Sequence, residues 1–161
     1  MNRAAALPQS RPHVLVVIPA RWGSTRPPGK PLHLIAGKPL VQHVWERCKQ
    51  SRHVDKVVIA TDDERIADAA RRFNAVSILT SPDHPSGTDR VAECAKSYPS
   101  HRIVINVQGD EPLISPGLID ELAQALAADV AGDLPTLRTL LKSGDRLTRI
   151  AAAGKILTLT R

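Results

Sequence analysis

Aromatic side chains are scarce in this chain: Trp22, Trp45, Phe73 and Tyr98 are all that its 161 residues contain. That is too few to build the stacking platform on which single-stranded bases bind. Cysteine is nearly as rare. Cys48 and Cys94 form neither a Cys-x-x-Cys pair nor a disulfide framework, which fits a reducing compartment and packing roles. Long apolar runs are missing too, since Val14–Ile18 and Ile103–Val107 are far shorter than the ~20 residues that span a bilayer. No membrane partner is expected. The segment Met1–His13 carries Arg3 and Arg11, but its apolar stretch Ala4–Leu7 falls short of the roughly 7–15-residue core of a secretory signal. A cytoplasmic location is therefore expected. The six histidines show no metal-ligand spacing. A basic block is also lacking: the net charge of +6 is divided equally between residues 1–128 and 129–161. Nucleic acid is thereby disfavoured as a partner. Arg21, Arg26 and Lys30, close together in one segment, suit the phosphates of a small molecule instead.

What the chain has is the make-up of a soluble globular protein, with 42% hydrophobic and 24% charged residues. A domain of this size buries roughly 70% of its unfolded surface and needs no disulfide or metal staple. Short β-branched runs alternate with helical segments, the pattern of βαβ units around a parallel sheet. Strands are expected at Val14–Ile18, Lys56–Ala60, Val76–Leu79 and Ile103–Val107. Helices are expected at about Pro39–Gln50, Asp63–Arg72, Asp89–Ser97 and Pro116–Ala127. Two connections, Pro19–Pro31 and Ser81–Thr88, are long and rich in Pro, Gly, Ser and Thr. Each follows the carboxyl end of a strand, the edge where open parallel sheets bind ligands. Beyond Ala128 the pattern weakens. A strand at Thr136–Leu141 and a hairpin around Gly154 are expected, with the apolar run after Lys155 left as an unfinished edge strand, a pairing liability.

The Pro19–Pro31 segment resembles a phosphate-binding P-loop only superficially. Five residues separate Gly23 from Gly29 where the ATPase pattern has four, and Pro31 stands where Ser or Thr would bind magnesium. No Gly-x-Gly-x-x-Gly turn is present either. There remains a loop stiffened by four prolines that presents two guanidiniums and an ammonium, groups able to neutralise a triphosphate or a departing pyrophosphate. Lys38, further on, reads as a solvated side chain. Gln108-Gly109-Asp110-Glu111-Pro112 follows the most apolar strand and brings Asp110 to the same edge. Magnesium takes one or two protein carboxylates and completes its shell with phosphate oxygens and water, so a single Asp suffices as first ligand. Glu111 either tunes that site or faces water. Asp62-Asp63-Glu64 reads as helix capping, with Thr61 or Asp62 as the N-cap and acids favoured in the first turn. Ser86-Gly87-Thr88-Asp89-Arg90 offers hydroxyl and backbone groups for a base edge, or else simply starts a helix. His84 is read as structural.

Taken together, Ile18-Pro19-Ala20-Arg21, Ser24-Thr25-Arg26, Pro28-Gly29-Lys30-Pro31-Leu32, Ala60-Thr61-Asp62, Ser86-Gly87-Thr88-Asp89-Arg90 and Asn106-Val107-Gln108-Gly109-Asp110-Glu111-Pro112 resemble one family over roughly residues 14–128. It is that of the 3-deoxy-manno-octulosonate (Kdo) cytidylyltransferases, the CMP-Kdo synthetases. The resemblance implies a doubly wound, Rossmann-like α/β fold with a mostly parallel nucleotidyltransferase sheet, here truncated. It also implies a magnesium-dependent enzyme that joins CTP and Kdo, releases pyrophosphate and serves lipopolysaccharide biosynthesis. By the same resemblance Arg21, Arg26 and Lys30 hold the triphosphate, Gly87, Arg90 and Gln108 surround the cytidine, and Asp110 binds magnesium, with Arg21, Lys30 and Asp110 carrying the chemistry. Pro27 replaces the usual Leu or Phe, and Asp89 replaces a usual Glu. Family members continue well beyond residue 161, and that further portion supplies Kdo contacts, a second metal carboxylate and much of a homodimer interface. The expected organisation is a flexible segment 1–13, a nucleotide-binding domain 14–128 and a divergent or incomplete portion 129–161. A sialic-acid cytidylyltransferase and a non-catalytic nucleotide-binding remnant stand as alternatives.

Overall fold

The computed structural model describes residues 11–23, 28–130, 148–151 and 156–159. At its centre lies β1 (Val14–Ala20), every residue of which is buried. Such a strand is covered on both faces and so reads as a continuous apolar run rather than an alternating one. It pairs in parallel with β4 (Lys56–Thr61) on one side and with β6 (Ile103–Val107) on the other. Outside β4 runs β5 (Val76–Leu79), also parallel. Outside β6 lie β8 (Ile156–Leu159), parallel to it, and then β7 (Thr148–Ala151), antiparallel to β8. The sheet order is therefore β5-β4-β1-β6-β8-β7.

Helices cover both faces, which gives the doubly wound α/β architecture. Val14, Val16 and Ile18 of β1 face a core shared with α1 (Leu40–Lys49), α2 (Glu64–Arg72) and α4 (Pro116–Val130), through Val44, Ile66 and Ile119 among others. The alternate residues Leu15 and Val17 face α3 (Gly87–Lys96), through Val91 and Cys94. No helix among the described residues is long and apolar enough to cross a membrane. Both cysteines are buried and unbridged, and burial pushes each thiol up to about 12.

Three features depart from the expected layout. A short 3-10 helix (Lys30–Leu32) and a hairpin of β2 (Leu34–Ile35) with β3 (Lys38–Pro39) precede α1. Its two-residue turn places Ala36 at φ 48° and Gly37 at φ 81°, the left-handed pair that twisted hairpins need. Ala-Gly is not the Asn-Gly or Asp-Gly signal that announces such a turn. The run after Lys155 is not an edge strand, because β8 is flanked by β6 and β7. The Thr136–Leu141 strand lies outside the described residues.

The chain visits β1, β4 and β5 outward on one side and then returns to place β6 on the other. The switch point between β1 and β6, at their carboxyl ends, is where a doubly wound sheet leaves a crevice.

Candidate active site

At that switch point lies a cleft of about 220 Å³. Pro19 and Ala20, which end β1, line it together with Pro31 and Leu40. Its polar lining comes from Arg21 and Lys30 on the loop after β1, and from Gln108 and Asp110 on the loop after β6. Lys30 Nζ donates to Asp110 Oδ2 at 2.8 Å, bridging residues 80 positions apart in sequence. Both side chains remain well exposed, at 38% and 52%, so the contact is open to competition. Arg21 donates from Nη1 to the His84 carbonyl at 3.3 Å. Gln108 Nε2 reaches the buried Asn106 Oδ1 at 3.3 Å.

The two loops approach because the sequence leaves them room. At Gly109 a Cβ would meet the Pro19 carbonyl oxygen at 2.7 Å, a separation real Cβ atoms do not adopt. Gly29, at φ 75°, closes the first loop by donating its N–H to the Trp22 carbonyl at 2.8 Å. Lys30 then opens the 3-10 helix directly beside Asp110.

Gly87 lies close by as the first residue of α3, where a Cβ would be 3.4 Å from the Pro19 ring, but it does not line the cleft. Ser86 caps α3 by accepting from the Asp89 N–H at 3.2 Å, while its hydroxyl donates to Asp89 Oδ2 at 2.5 Å. His84 pairs with Glu93, and that hydrogen bond, with another from the Ser81 N–H, holds the Glu93 carboxyl below its usual range. Lys38 sits on the surface against Glu46, at 2.8 Å.

The expected cap of α2 needs correction, and a buried guanidinium is the cause. Arg90, expected around the cytidine, does not line the cleft and is 0% exposed. Its guanidinium donates to Thr80 Oγ1 and, at 3.1 Å, to Asp62 Oδ2, and burial lowers its pKa against the pull of Asp62. Neither Thr61 nor Asp62 is the N-cap of α2. That place belongs to Asp63, which accepts from the Arg65 N–H at 2.9 Å, while Asp62 Oδ1 accepts from the Trp22 N–H at 3.2 Å. A buried guanidinium requires a counter-charge, and Asp62 serves as one while also tethering the start of the basic loop. Arg26 lies outside the described residues. Sequence reasoning also missed Trp22 and Arg65. Arg65 Cζ lies 3.3 Å from the Trp22 ring centroid, a stack between separate elements with no spacing signature.

Among the described residues no group of three or more His, Cys, Asp or Glu side chains is placed to hold a metal ion. Asp110 is thus the carboxylate that the cleft itself offers.

The chain matches the cytidylyltransferase family over residues 15–158. It is 55% identical, over 124 residues, to a 3-deoxy-manno-octulosonate cytidylyltransferase of Pseudomonas fluorescens, covering 76% of this chain and 48% of that one. With the protein of the same name from Marinobacter nauticus the identity is 60% over 114 residues, covering 69% and 43%. Among solved structures, a CMP:2-keto-3-deoxy-manno-octonic acid synthetase complexed with CTP superposes with a TM-score of 0.71 at 47% identity, covering 74% of this chain and 49% of that one. The chain spans about half the length of these relatives.

Proposed function

The chain belongs to the cytidylyltransferase family, and on that premise we propose that its cleft holds the triphosphate of CTP and directs its α-phosphorus toward Kdo, giving CMP-Kdo and pyrophosphate for lipopolysaccharide biosynthesis. The anomeric hydroxyl of the sugar acid forms the new P–O bond in line as the bond to pyrophosphate breaks, and the hydroxyl proton passes to solvent. Catalysis of this kind is mainly positioning and stabilisation of charge moving onto the leaving group. Arg21 and Lys30 supply that positive charge, Gln108 stands beside the nucleoside, and no covalent protein nucleophile is required. The supporting observation is the Lys30–Asp110 contact at 2.8 Å, which sets a triphosphate-binding cation against a carboxylate at the switch point. Arg26, on the same loop, is proposed as a further triphosphate ligand, and Gly87 as a neighbour of the cytidine. Arg90 acts from behind, through Asp62.

Magnesium fits the donor chemistry. Asp110 is 52% exposed at the cleft, and one carboxylate is an adequate protein share for an ion that takes its remaining ligands from phosphate and water. Asp110 would hold it, and the ion would supply further charge neutralisation along the polyphosphate. A cytoplasmic site of action follows from this chemistry, since CTP is a cytoplasmic substrate.

A second reading is favoured by the coverage of about half of each relative: this portion binds the nucleotide, and the sugar acid is held by residues beyond it. The cleft volume of about 220 Å³ lies under the ~300–1,000 Å³ of typical ligand sites, in keeping with a site for part of the reacting pair. One assay separates the readings. The purified chain is incubated with CTP, magnesium and either Kdo or sialic acid, and pyrophosphate release is followed. Turnover with Kdo, abolished in Asp110→Ala, supports the synthetase reading; CTP binding without turnover supports the second. Turnover with sialic acid alone, or no CTP binding at all, overturns both.

A further inference from the structure

Trp22 is held at three points. Its N–H donates to Asp62 at 3.2 Å, its carbonyl accepts from the Gly29 N–H at 2.8 Å, and its indole lies under the Arg65 guanidinium. The same indole abuts Gly29 so closely that a Cβ there would come within 2.8 Å of a ring carbon. Gly29 is buried, and its neighbour Lys30 reaches Asp110. Whatever fixes the indole therefore fixes the corner from which the Lys30 side chain departs.

Arg65 is prepared for that task. Its Nε donates to Asp63 Oδ1 at 2.8 Å and an Nη to Asp63 Oδ2 at 2.6 Å, a fork-on-fork pairing that sets the plane of the guanidinium. The Arg65 side chain is 57% exposed, and it lines no part of the cleft. Neither core packing nor ligand contact accounts for the arrangement, whereas a planar cation over an indole is an attractive contact. We propose that Arg65 is a positioning residue for this site: oriented by Asp63, it clamps Trp22 and so holds the Gly29–Lys30 corner at the spacing a triphosphate needs.

The inference rests on the nucleotide reading of the cleft. Its rival is that Arg65 acts as a plain positive charge drawing in a polyanion. Asp63→Asn separates the two, because Asn still caps a helix but no longer forms the ionic fork. If charge alone matters, removing the neighbouring carboxylate strengthens CTP binding. If orientation matters, binding weakens, as it does in Arg65→Ala.

The test measures CTP affinity by calorimetry, with magnesium present, for the parent chain and for Arg65→Ala, Asp63→Asn, Trp22→Ala and Trp22→Phe, with thermal melting alongside. Expected are a two- to fivefold loss of affinity in Arg65→Ala, about the worth of an exposed cation–π contact, and a loss in Asp63→Asn of the same sign. A larger loss is expected in Trp22→Ala, mostly restored in Trp22→Phe. Arg65 and Asp63 lie at the surface end of α2, so their variants carry the test even should Trp22→Ala fail to fold. Unchanged affinity in Arg65→Ala, or tighter binding in Asp63→Asn, overturns the clamp while leaving the nucleotide reading intact. A parent chain that binds no CTP removes both.

Discussion

Replacing Asp62 by Ala strips the fully buried Arg90 guanidinium of its counter-charge and leaves the Trp22 N–H without its acceptor. Losing one member of a buried ion pair costs about 3–5 kcal/mol, most of it the uncompensated charge that stays behind. Asp62 is itself 16% exposed and Thr80 still accepts from Arg90, which places the expectation near the lower end, about 3 kcal/mol. Against a total stability of about 5–15 kcal/mol for a natural domain, that is a large share. At roughly 2–4 °C per kcal/mol for a chain of this size, melting followed by circular dichroism at pH 7 should fall by about 6–12 °C. The companion experiment is the double variant Asp62→Ala/Arg90→Met, which removes both charges. It should be more stable than Asp62→Ala alone by at least ~1 kcal/mol, because no guanidinium is then buried unpaired. A melting point within about 2 °C of the parent for Asp62→Ala, or simple addition of the two losses in the double variant, would refute the reasoning. Either outcome would mean that the guanidinium reaches water, contrary to its complete burial.

Gly109→Ala forces a Cβ against the Pro19 carbonyl, and should cost about 1–3 kcal/mol of stability and weaken CTP binding by displacing Gln108 and Asp110; denaturant melts and calorimetry check both. Asp120 accepts hydrogen bonds from Ser51 Oγ at 2.5 Å and from the Arg52 and His53 N–H groups at 2.9 Å each. Burial alone would raise its pKa, but these bonds together hold it below the usual carboxylate range. A lowered folded value makes its stabilisation fully present above the unfolded pKa of about 3.9 and lost as pH falls through the folded one. Asp120→Asn should thus be about 1–2 kcal/mol less stable at pH 7, with the gap to the parent narrowing below about pH 4 in urea titrations. Cys48 and Cys94, buried with thiols pushed up to about 12, should resist a thiol-specific reagent at pH 8 in the native chain and both react in denaturant.

Val14–Ile18, Lys56–Ala60 and Ile103–Val107 were legible because burial on both faces writes itself as a nearly unbroken apolar run, whereas Val76–Leu79 is a half-exposed edge strand that its β-branched residues announced. Each coincides with an observed strand to within two residues. The encounter of Lys30 with Asp110 was legible for a related reason, since both follow strands whose carboxyl ends meet at the switch point. Arg90 was not, because an arginine is ordinarily read as exposed and only the fold reveals an aspartate 28 positions earlier to neutralise it. The cap of α2, expected at Thr61 or Asp62, falls on Asp63 for that same reason: the Asp62 carboxylate is engaged by Arg90 and the Trp22 N–H. The Arg65–Trp22 stack joins a helix to a loop with no local pattern linking them. The turn at Ala36-Gly37 escaped because alanine rarely accepts a positive φ.

The Lys30–Asp110 contact makes the cleft its own antidote to partial occupancy. A cation drawn to Asp110 must pull that carboxylate from an ammonium, and a polyphosphate drawn to Lys30 must leave a carboxylate facing its own negative charge. Only a guest bringing both signs at once relieves both side chains together. By thermodynamic reciprocity, each half of such a guest strengthens the hold on the other equally. Exposed as both side chains are, the pair is worth about 0–1 kcal/mol, so the bias it would set against an anion or a metal ion arriving singly is a few-fold at most.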